Sequence, residues 1–298
     1  MKTLVTGATG LVGKSILARL ERGGVLSHNA ADARAALGDK FKVFGWSPEQ
    51  GPPPAEAFSG VETIYHLAGE PVAAGRWTPE RKKRIRSSRV EGTRQLVARL
   101  AKLKQRPKVL VAASAVGYYG DRGDAELSEQ EPAAETFLAE VCASWEAESY
   151  KAAELGIRVV ICRIGIVLAP NGGALKRMLP PFKVGLGGRL GDGKQYMPWI
   201  HVDDVAGLFL HASRTKSIRG AMNVTGPVPV TNKEFARTLG QVLHRPALLF
   251  VPRLGLKAAF GEMSELLLES QRALPTAALE SGYEFRYRDL RAALQACL

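Results

Sequence analysis

The chain has 298 residues, of which 46% are hydrophobic and 23% charged, an ordinary composition for a globular protein with a substantial core. No apolar run approaches the ~18 residues that a membrane helix needs, and the first residues have the character of a strand and a loop, so neither a signal peptide nor a membrane partner is expected. The three cysteines form no CxxC pair, which predicts a reducing, cytoplasmic setting.

The first predicted elements are a strand, a glycine-rich loop and a helix. Residues 3–5 predict the strand and residues 14–22 the helix. Between them, Gly7 permits a tight turn, Gly10 lets the backbone approach a pyrophosphate, and Gly13 lets the helix pack closely on the strand. The start of a helix also offers N–H groups to phosphates. The sequence therefore predicts a dinucleotide site formed by Gly7, Thr9, Gly10, Leu11, Val12 and Gly13.

The tip of the second predicted strand, residues 25–27, bears on the choice of cofactor. An acid at this tip binds the ribose 2′-OH of NAD(H), whereas a basic residue accommodates the 2′-phosphate of NADP(H). Here Ser27 and His28 stand at the tip, and Asp32 and Arg34 lie further on. We therefore expect NADP(H) in preference to NAD(H), with Ser27 and His28 as contacts. The alternative is that His28 is a plain surface residue.

Apolar runs alternate with helical stretches as far as residue 168, a pattern typical of βαβ units that build a parallel sheet. The predicted fold is α/β, a Rossmann-like doubly wound parallel sheet with helices on both faces. The predicted strands are residues 3–5, 25–27, 42–46, 63–67, 109–113 and 158–162, and the predicted helices include 14–22, 79–104 and 134–155.

The basic excess is concentrated in one predicted helix. Residues 81–108 hold twelve Lys or Arg against one acid, Glu91, an excess of +11 within a net charge of +12. Because these residues also show helical periodicity, a basic amphipathic helix covering the sheet explains the charge without a partner. The alternatives are an anion-attracting field and a nucleic-acid surface, of which the second is not expected. Arg89 lies on the apolar stripe between Ile85 and Gly92, which predicts an anion contact or a structural salt bridge.

From residue 169 the sequence becomes rich in glycine and proline. Residues 170–195 contain three glycine clusters, which predict either a mobile lid over a cleft or a long surface loop. A strand over 221–224 and a helix over 232–243 follow, the helix opened by the capping-box pair Thr231 and Glu234. We therefore divide the chain into a nucleotide-binding domain, 1–168, and a smaller α/β substrate lobe, 169–298, above the carboxyl edge of the sheet.

Nine short segments stand in an order and spacing typical of one protein superfamily. Five of them are TGATGLVG (6–13), HLAG (66–69), SAVGYYG (114–120), RIGIVLAP (163–170) and IHVDDVA (200–206), and four more are GEPV (69–72), SRVEGT (88–93), PWIH (198–201) and NVTGP (223–227). The first set resembles the extended short-chain dehydrogenase/reductase superfamily, of the nucleotide-sugar epimerase and dehydratase type. The second resembles its "epimerase family" subgroup, which carries a small C-terminal domain of unknown function, here from about residue 249.

The resemblance implies a Rossmann-like domain, bound NADP(H) or NAD(H), a cytoplasmic protein and a small-molecule substrate of unassigned identity. It also implies roles at the ends of three strands. Leu67, Ala68 and Gly69 after the fourth strand, and Arg163 at the end of the sixth, would contact the cofactor. Ser114 after the fifth strand stands close to the superfamily's substrate-positioning hydroxyl, and the alternative for it is a capping or turn serine.

The superfamily's Tyr-x-x-x-Lys helix, whose Tyr exchanges a proton and whose Lys holds the ribose, has no counterpart in this sequence. Aligning Glu148 with the superfamily's downstream acid places Glu140 at the Tyr position and Ser144 at the Lys position. A carboxylate at Glu140 could act as a base only if burial raised its pKa. Tyr118 or Tyr119 could supply a phenol instead, although packing tyrosines are commoner. The candidate catalytic residues are therefore Ser114, Tyr119 and Glu140.

Two functional hypotheses follow. The first is an NADP(H)-dependent reductase or epimerase acting on a small polar or nucleotide-linked substrate. The second is a dinucleotide-binding regulatory or scaffold protein without turnover, which the missing Tyr and Lys favour. No metal site is predicted, because His201, Asp203 and Asp204 have no second His or Cys nearby. A homodimer through the 79–104 helix is implied by the superfamily but opposed by the positive charge of that helix.

Overall fold

The computed structural model describes residues 1–170 and 172–298, so Asn171 of the glycine-rich segment lies outside the described residues. The strands are β1 (Thr3–Thr6), β2 (Gly23–Ser27), β3 (Phe41–Gly45), β4 (Thr63–His66), β5 (Val109–Ala115), β6 (Glu126–Leu127), β7 (Arg158–Ile164), β8 (Ile166–Ala169), β9 (Gly188–Leu190), β10 (Tyr196–Met197), β11 (Trp199–His201), β12 (Gly220–Val224), β13 (Val230–Thr231), β14 (Leu249–Val251) and β15 (Arg272–Ala273). The α-helices are α1 (Leu11–Leu17), α2 (Ala30–Leu37), α3 (Pro79–Ala101), α4 (Phe137–Tyr150), α5 (Gly173–Lys183), α6 (Val202–Arg214), α7 (Asn232–Val242), α8 (Arg253–Phe260), α9 (Glu265–Leu268), α10 (Thr276–Glu280) and α11 (Leu290–Cys297).

A seven-stranded sheet forms the centre of the fold, in the order β3-β2-β1-β4-β5-β7-β12. Every neighbouring pair in it is parallel. The strand order reverses between β1 and β4, and open sheets of this kind bind ligands beyond the carboxyl ends of the strands at such a point. The predicted Rossmann-like doubly wound parallel sheet is confirmed.

Helices cover both faces of this sheet, because successive strand residues point to opposite sides and both sides are apolar. Leu4 packs on one face, in a cluster with Leu96 of α3. Its neighbour Val5 packs on the other face, in a cluster with Ile16 of α1 and Val205 of α6. All five side chains are fully buried.

The second part of the chain is continuous with the sheet. β12 forms an edge strand of the sheet, and α6 covers one of its faces, yet both elements follow residue 168. Residues of α5, α7, α11 and β11 build a separate core around Trp199 and Phe235. Residue 168 therefore marks the point where the sequence becomes rich in glycine and proline. It does not mark the end of the large sheet, because β12 joins that sheet later in the chain.

Two predicted elements differ from the structure. The segment predicted as a lid or surface loop contains α5, and its glycines lie at the ends of this helix, so the residues between can be helical and bury Leu175 and Phe182. The helix predicted over 14–22 begins at Leu11, directly after Gly10, and ends at Leu17. Tighter i to i+3 hydrogen bonds follow at Arg19, as the chain turns toward β2.

Candidate active site

The glycine loop between β1 and α1 has little room for side chains on its inner side. Gly7 has a φ of +67°, and a Cβ there would lie 2.7 Å from the carbonyl carbon of Leu67. A Cβ at Gly13 would lie 2.3 Å from the carbonyl oxygen of Gly7, so only glycine lets α1 approach the loop. Thr9 and Gly10 are exposed, and no side chain caps α1. The open side of the loop can therefore accept a pyrophosphate against bare backbone.

A buried polar chain joins this loop to the end of β4. The Thr6 hydroxyl accepts hydrogen bonds from the backbone N–H groups of Leu67 and Ala68, both at 3.1 Å. It also lies 2.8 Å from Nδ1 of His66, whose Nε2 lies 2.8 Å from the hydroxyl of Thr93 on α3. Burial lowers the pKa of His66 to about 4, so the ring is neutral. The motif containing His66 was predicted, but this positioning role was not.

Arg89 of α3 lies beside the same edge, next to Gly69. Its Nη1 donates to the carbonyl oxygens of Glu70, at 2.9 Å, and Ile85, at 3.2 Å. A Cβ on Gly69 would lie 3.0 Å from Cζ of Arg89, so the glycine leaves room for the guanidinium. Burial lowers the pKa of Arg89. The predicted salt bridge is absent among the described residues, which leaves the anion contact as a prediction.

Ser114 and Arg163 are brought together by Glu146 of α4. The Ser114 hydroxyl donates to Oε1 of Glu146 at 2.6 Å, and Nε and Nη2 of Arg163 donate to Oε1 and Oε2 at 3.0 and 2.9 Å. The exposed fractions are 3% for Ser114, 4% for Glu146 and 4% for Arg163. Protein acceptors therefore occupy the guanidinium of Arg163, and its contact with a cofactor stays a prediction. Glu146 was missed, since nothing in the local motif pairs it with a residue 17 positions away.

Tyr119 belongs to the same network. Its hydroxyl donates to Oδ1 of Asn223 at 2.7 Å and accepts from Nη1 of Arg163 at 3.0 Å, and the side chain is fully buried. Burial raises the pKa of Tyr119 to about 12. The phenol therefore has protein partners on both sides, as the packing alternative expects, and its role in proton exchange stays a prediction.

The α4 residues aligned with Tyr-x-x-x-Lys do not reproduce it. Glu140 is exposed, so the burial that a carboxylate base would require is missing. Cys142, one turn before Glu146, is 5% exposed, and burial raises the pKa of its thiol to about 11. The described face of α4 toward Ser114 therefore carries a neutral thiol and a paired carboxylate.

β2 ends at Ser27, so Ser27 and His28 stand at its tip, and their contact with a cofactor stays a prediction. The Ser27 hydroxyl donates to the carbonyl of Asn29, which caps α2, and His28 is exposed beside it. The Asp32 carboxylate accepts from the Asn29 side-chain amide at 2.5 Å, so it is turned toward the cap. Arg34 donates to the carbonyl of Val43 and points toward β3.

A cavity of about 430 Å³ lies between the loop after β5 and the C-terminal segment. Acids from both sides line it, including Asp121 and Glu269, together with Arg253 and Lys257 of α8. Burial, with the nearby carboxylates of Glu265 and Asp121, raises the pKa of Glu269 to about 7. The sequence analysis did not predict this cavity. One signal was available: Arg253 and Lys257 are four residues apart, as are Glu265 and Glu269, a spacing that places each pair on one side of a helix.

A metal cluster and a membrane-spanning helix are both absent from the described part of the chain. No group of three or more His, Cys, Asp or Glu there could hold a metal ion. None of its helices combines the length and apolar character required to cross a bilayer.

Two family models match most of the chain. The model of the NAD dependent epimerase/dehydratase family matches residues 3–225, and that of a domain of unknown function matches residues 251–297. The epimerase family protein YfhF of Bacillus subtilis is 38% identical over 299 residues, covering 99% of this chain and 97% of YfhF. The chloroplastic SDR39U1 homolog of Arabidopsis thaliana is 39% identical over 306 residues, covering 100% of this chain and 87% of the homolog.

Solved structures agree with this placement. The crystal structure of human epimerase family protein SDR39U1 with NADPH superposes with a TM-score of 0.87 and 33% identity, covering 100% of this chain and 99% of the human chain. UDP-glucuronic acid 4-epimerase of Bacillus cereus, solved with UDP-glucuronic acid and NAD, shares the fold with a TM-score of 0.79 at 18% identity, covering 100% and 98% of the two chains. The chain therefore belongs to the NAD dependent epimerase/dehydratase family, and its residues 251–297 match a domain of unknown function.

Proposed function

We propose that this protein binds NADP(H) along the carboxyl edge of its sheet and acts as a reductase or epimerase on a small polar or nucleotide-linked substrate. The observation that carries the proposal is the glycine loop, whose inner side admits no Cβ at Gly7 and Gly13 while Gly10 is exposed. Arg89 beside Gly69 adds a cation further along the same edge. When bound, the cofactor would supply hydride exchange at its nicotinamide ring.

The preference for NADP(H) rests on the tip of β2. Ser27 and the exposed His28 stand there, and the Asp32 carboxylate is held in the cap of α2, so no acid competes with a 2′-phosphate. The human relative with 33% identity was solved with NADPH, which supports the same choice. We assign Ser27 and His28 to the 2′-phosphate.

The substrate would occupy the cavity between the loop after β5 and α8. Its lining carries two cations, Arg253 and Lys257, and four acids, Asp121, Glu262, Glu265 and Glu269. It therefore suits a molecule with several hydroxyls for the acids, and the two cations can take one anionic group. An apolar substrate would leave these charges without partners. This chemistry is compatible with a sugar phosphate or a nucleotide-linked sugar.

A second candidate function has its own supporting observation. Ser114 and Tyr119 are locked in a buried network with Glu146, Arg163 and Asn223, and Glu140 is exposed. Two of the three candidate catalytic side chains are therefore engaged by protein partners, and the third lacks the burial that would make it a base. A regulatory or scaffold protein that binds the dinucleotide without turnover is compatible with this arrangement.

The first experiment is a fluorescence titration with NADPH and separately with NADH. We expect tighter binding of NADPH, and a Gly10→Val variant should lose it because the side chain fills the space that the pyrophosphate needs. Gly255→Val, at a helical glycine with nothing within 4 Å, is the matched control and should bind as the wild type does. Failure of the wild type to bind either dinucleotide would refute the proposal.

Turnover separates the two candidates. NADPH oxidation and NADP+ reduction are followed with a panel of sugar phosphates and nucleotide sugars, and epimer formation is followed by chromatography. Turnover that Gly10→Val abolishes supports the reductase or epimerase. Tight NADPH binding with no conversion across the panel supports the regulatory or scaffold protein. Ser114→Ala then tests whether the hydroxyl contributes beyond its bond to Glu146.

A further inference from the structure

The large apolar side chains that are exposed on this protein are concentrated in one place. In the described part of the chain, seven of the twelve belong to two short segments, 184–186 and 248–254. A contiguous exposed apolar patch marks an interaction site, whereas single apolar residues scattered over a surface need no explanation. Leu248 and Leu254 are the extreme cases, with exposed fractions of 88% and 81%. We call the seven side chains the apolar strip; they are Val184, Leu186, Leu248, Leu249, Phe250, Val251 and Leu254.

Two paired strands bring these segments together. β9 and β14 run parallel, with Leu249 opposite Gly188. A Cβ on Gly188 would lie 1.7 Å from the carbonyl oxygen of Leu249, so β14 reaches its place only because position 188 is glycine. A Cβ on Gly185 would lie 3.6 Å from Cγ of Pro246, so the residues before β9 lie against the residues before β14. The two segments therefore form one surface.

β14 also has a free edge. Among the described residues its only strand partner is β9, and on that side the carbonyl of Val251 accepts from the N–H of Gly191 at 2.8 Å. Backbone groups of successive strand residues point to opposite sides, so the N–H and carbonyl of Phe250 point away from β9. They have no backbone partner in residues 1–170 and 172–298. An unpaired edge of this kind accepts a further strand.

The charge around the apolar strip has one sign. Residues 183–191 and 244–257 contain no Asp or Glu. Their cations are Lys183, Arg189, Arg245, Arg253 and Lys257, of which all but Arg189 are exposed. The guanidinium carbon of Arg189 lies 5.7 Å from the ring centroid of Phe250, so positive charge stands beside the strip itself. A complementary partner therefore carries carboxylates next to apolar side chains.

These observations favour one occupant over two others. A second copy of this chain would bring the same cations against themselves, in a molecule whose net charge is +12. A bilayer would leave the outward backbone groups of β14 without hydrogen-bond partners in hydrocarbon. An extended peptide supplies those partners along its own backbone, and its side chains supply the apolar contacts and the acids.

We propose that the apolar strip and the free edge of β14 form a docking site for an extended acidic segment of a partner protein. The segment adds a strand to β14, covers the strip with alternate apolar side chains, and directs Asp or Glu toward Lys183 and Arg245. No residue of the strip belongs to the glycine loop or to the tip of β2, so this site is additional to the proposed dinucleotide site.

The test measures binding of fluorescein-labelled peptides of about seven residues, near the length of an ordinary strand, in which Glu alternates with Val, Leu or Phe. Fluorescence anisotropy follows binding to the wild type and to Leu248→Glu. We expect members of this set to bind the wild type. Leu248→Glu should weaken them about tenfold or more, because a leucine contact is lost and a like charge enters the strip.

Modified peptides test the strand pairing and the charge separately. Methylation of alternate backbone nitrogens removes the N–H groups of one peptide edge. Methylation of the edge that faces β14 should weaken binding about fivefold or more, the equivalent of at least one hydrogen bond, whereas methylation of the other edge should have no effect. Peptides with Lys in place of Glu should not bind.

Leu279→Glu is the matched control, because Leu279 is a 44% exposed leucine on α10, outside the strip. It should bind the peptides as the wild type does. Both variants should bind NADPH with wild-type affinity, which shows that they are folded and keeps this test independent of the proposed function.

Several outcomes would overturn the inference. It is wrong if no peptide of the set binds the wild type, or if Leu248→Glu binds them as well as Leu279→Glu does. Self-association in sedimentation that Leu248→Glu abolishes would identify a second copy as the occupant. Retention on phosphatidylglycerol vesicles that the same substitution abolishes would identify a bilayer. NADPH binding without peptide binding would refute this inference and leave the proposed function standing.

Discussion

Glu146 links Ser114 to Arg163 in the interior of the protein. Removing one partner of a buried ion pair leaves the other charge without compensation, which is far more costly than loss of an exposed pair. We expect Glu146→Ala to lower the free energy of unfolding by about 3–5 kcal/mol, because Arg163 would remain buried with its main acceptor gone. Urea unfolding followed by circular dichroism measures the change.

The matched control is Glu91→Ala, which breaks an exposed pair with Arg94 on α3. Solvent screens that pair, so the loss should be a small fraction of the loss at Glu146. Similar losses in the two variants would contradict the buried network as a source of stability.

His66 should make stability depend on pH. Its pKa is lowered to about 4 by burial, whereas an unfolded chain has a histidine pKa near 6.5. Between these values the unfolded state binds a proton that the folded state does not, so stability falls as pH decreases from about 6.5 toward 4. The full loss from this group is about 3 kcal/mol.

A comparison of variants isolates this contribution from the carboxylates that titrate nearby in pH. His66→Gln keeps a polar group between the hydroxyls of Thr6 and Thr93, and its free energy of unfolding should fall less steeply over the same pH range. His28→Gln, at an exposed position, should leave the slope of the wild type unchanged. If the free energy of unfolding of His66→Gln falls with decreasing pH as steeply as that of the wild type, His66 does not cause the loss of stability between pH 6.5 and 4.

For single residues, the sequence predicted where each side chain lies in the fold better than it predicted which other side chains it contacts. Ser114 and Arg163 stand at the ends of β5 and β7 as expected, but both side chains turn toward Glu146, which lies on a helix that packs across those strands. Likewise, Arg89 was predicted to meet an anion or an acid, and the structure gives it two backbone carbonyls. Such contacts depend on packing between distant segments, which no local motif encodes.

Among the helices, α7 shows how local sequence can fix an element. Thr231 accepts from the backbone N–H of Glu234, whose carboxylate accepts from the backbone N–H of Thr231 at 2.8 Å, which confirms the predicted capping box. We expect Thr231→Ala to lower the free energy of unfolding by about 1 kcal/mol, since the backbone N–H of Glu234 loses its side-chain acceptor and the Glu234 carboxylate loses its bond to the Thr231 hydroxyl. Calorimetry of thermal unfolding measures this loss of stability.

Lys233→Ala in the same first turn is the control for this prediction. Lys233 is exposed and makes no capping bond, so alanine should leave the transition temperature nearly unchanged or raise it slightly. A loss at Thr231 no larger than at Lys233 would mean that the cap does not stabilise α7.

The strands were easier to predict than the glycine-rich segment. Buried parallel strands are short apolar runs on both faces, and the predicted runs coincide with β1 to β5 and β7 to within a few residues. The content of residues 170–195 was missed because glycine frequency was taken as a sign of a loop, whereas burial of Leu175 and Phe182 against the second core selects a helix. Tertiary packing thus overrode composition at that element.

For the molecule as a whole, the basic charge of residues 81–108 is used partly within the chain. Several of the long side chains contact acceptors of this chain. These are Arg81 with Glu70, Lys82 with Glu262, Arg89 with two carbonyls, Arg94 with Glu91 and Glu148, Arg99 with the carbonyl of Pro53, Arg106 with the carbonyl of Leu155, and Lys108 with Glu62. These contacts join α3 and the segment after it to their neighbours, although eight of the twelve basic residues are exposed.

This arrangement predicts weak interaction with nucleic acid. Lys83, Arg84 and Arg86 are adjacent exposed charges near the start of α3, and a second exposed group, Lys102, Lys104, Arg106 and Lys108, follows its other end. The two groups are separated by roughly 24 Å of helix, and each is too small to hold a duplex once salt competes for its phosphates. We expect retention on duplex DNA to disappear at physiological salt, and Lys83→Gln with Arg84→Gln and Arg86→Gln to weaken what remains at low salt while NADPH affinity is unchanged. Filter retention across a salt series measures this. Retention that persists at physiological salt and resists the triple substitution would require a surface built by other residues, and the charge of α3 would then have to be explained again.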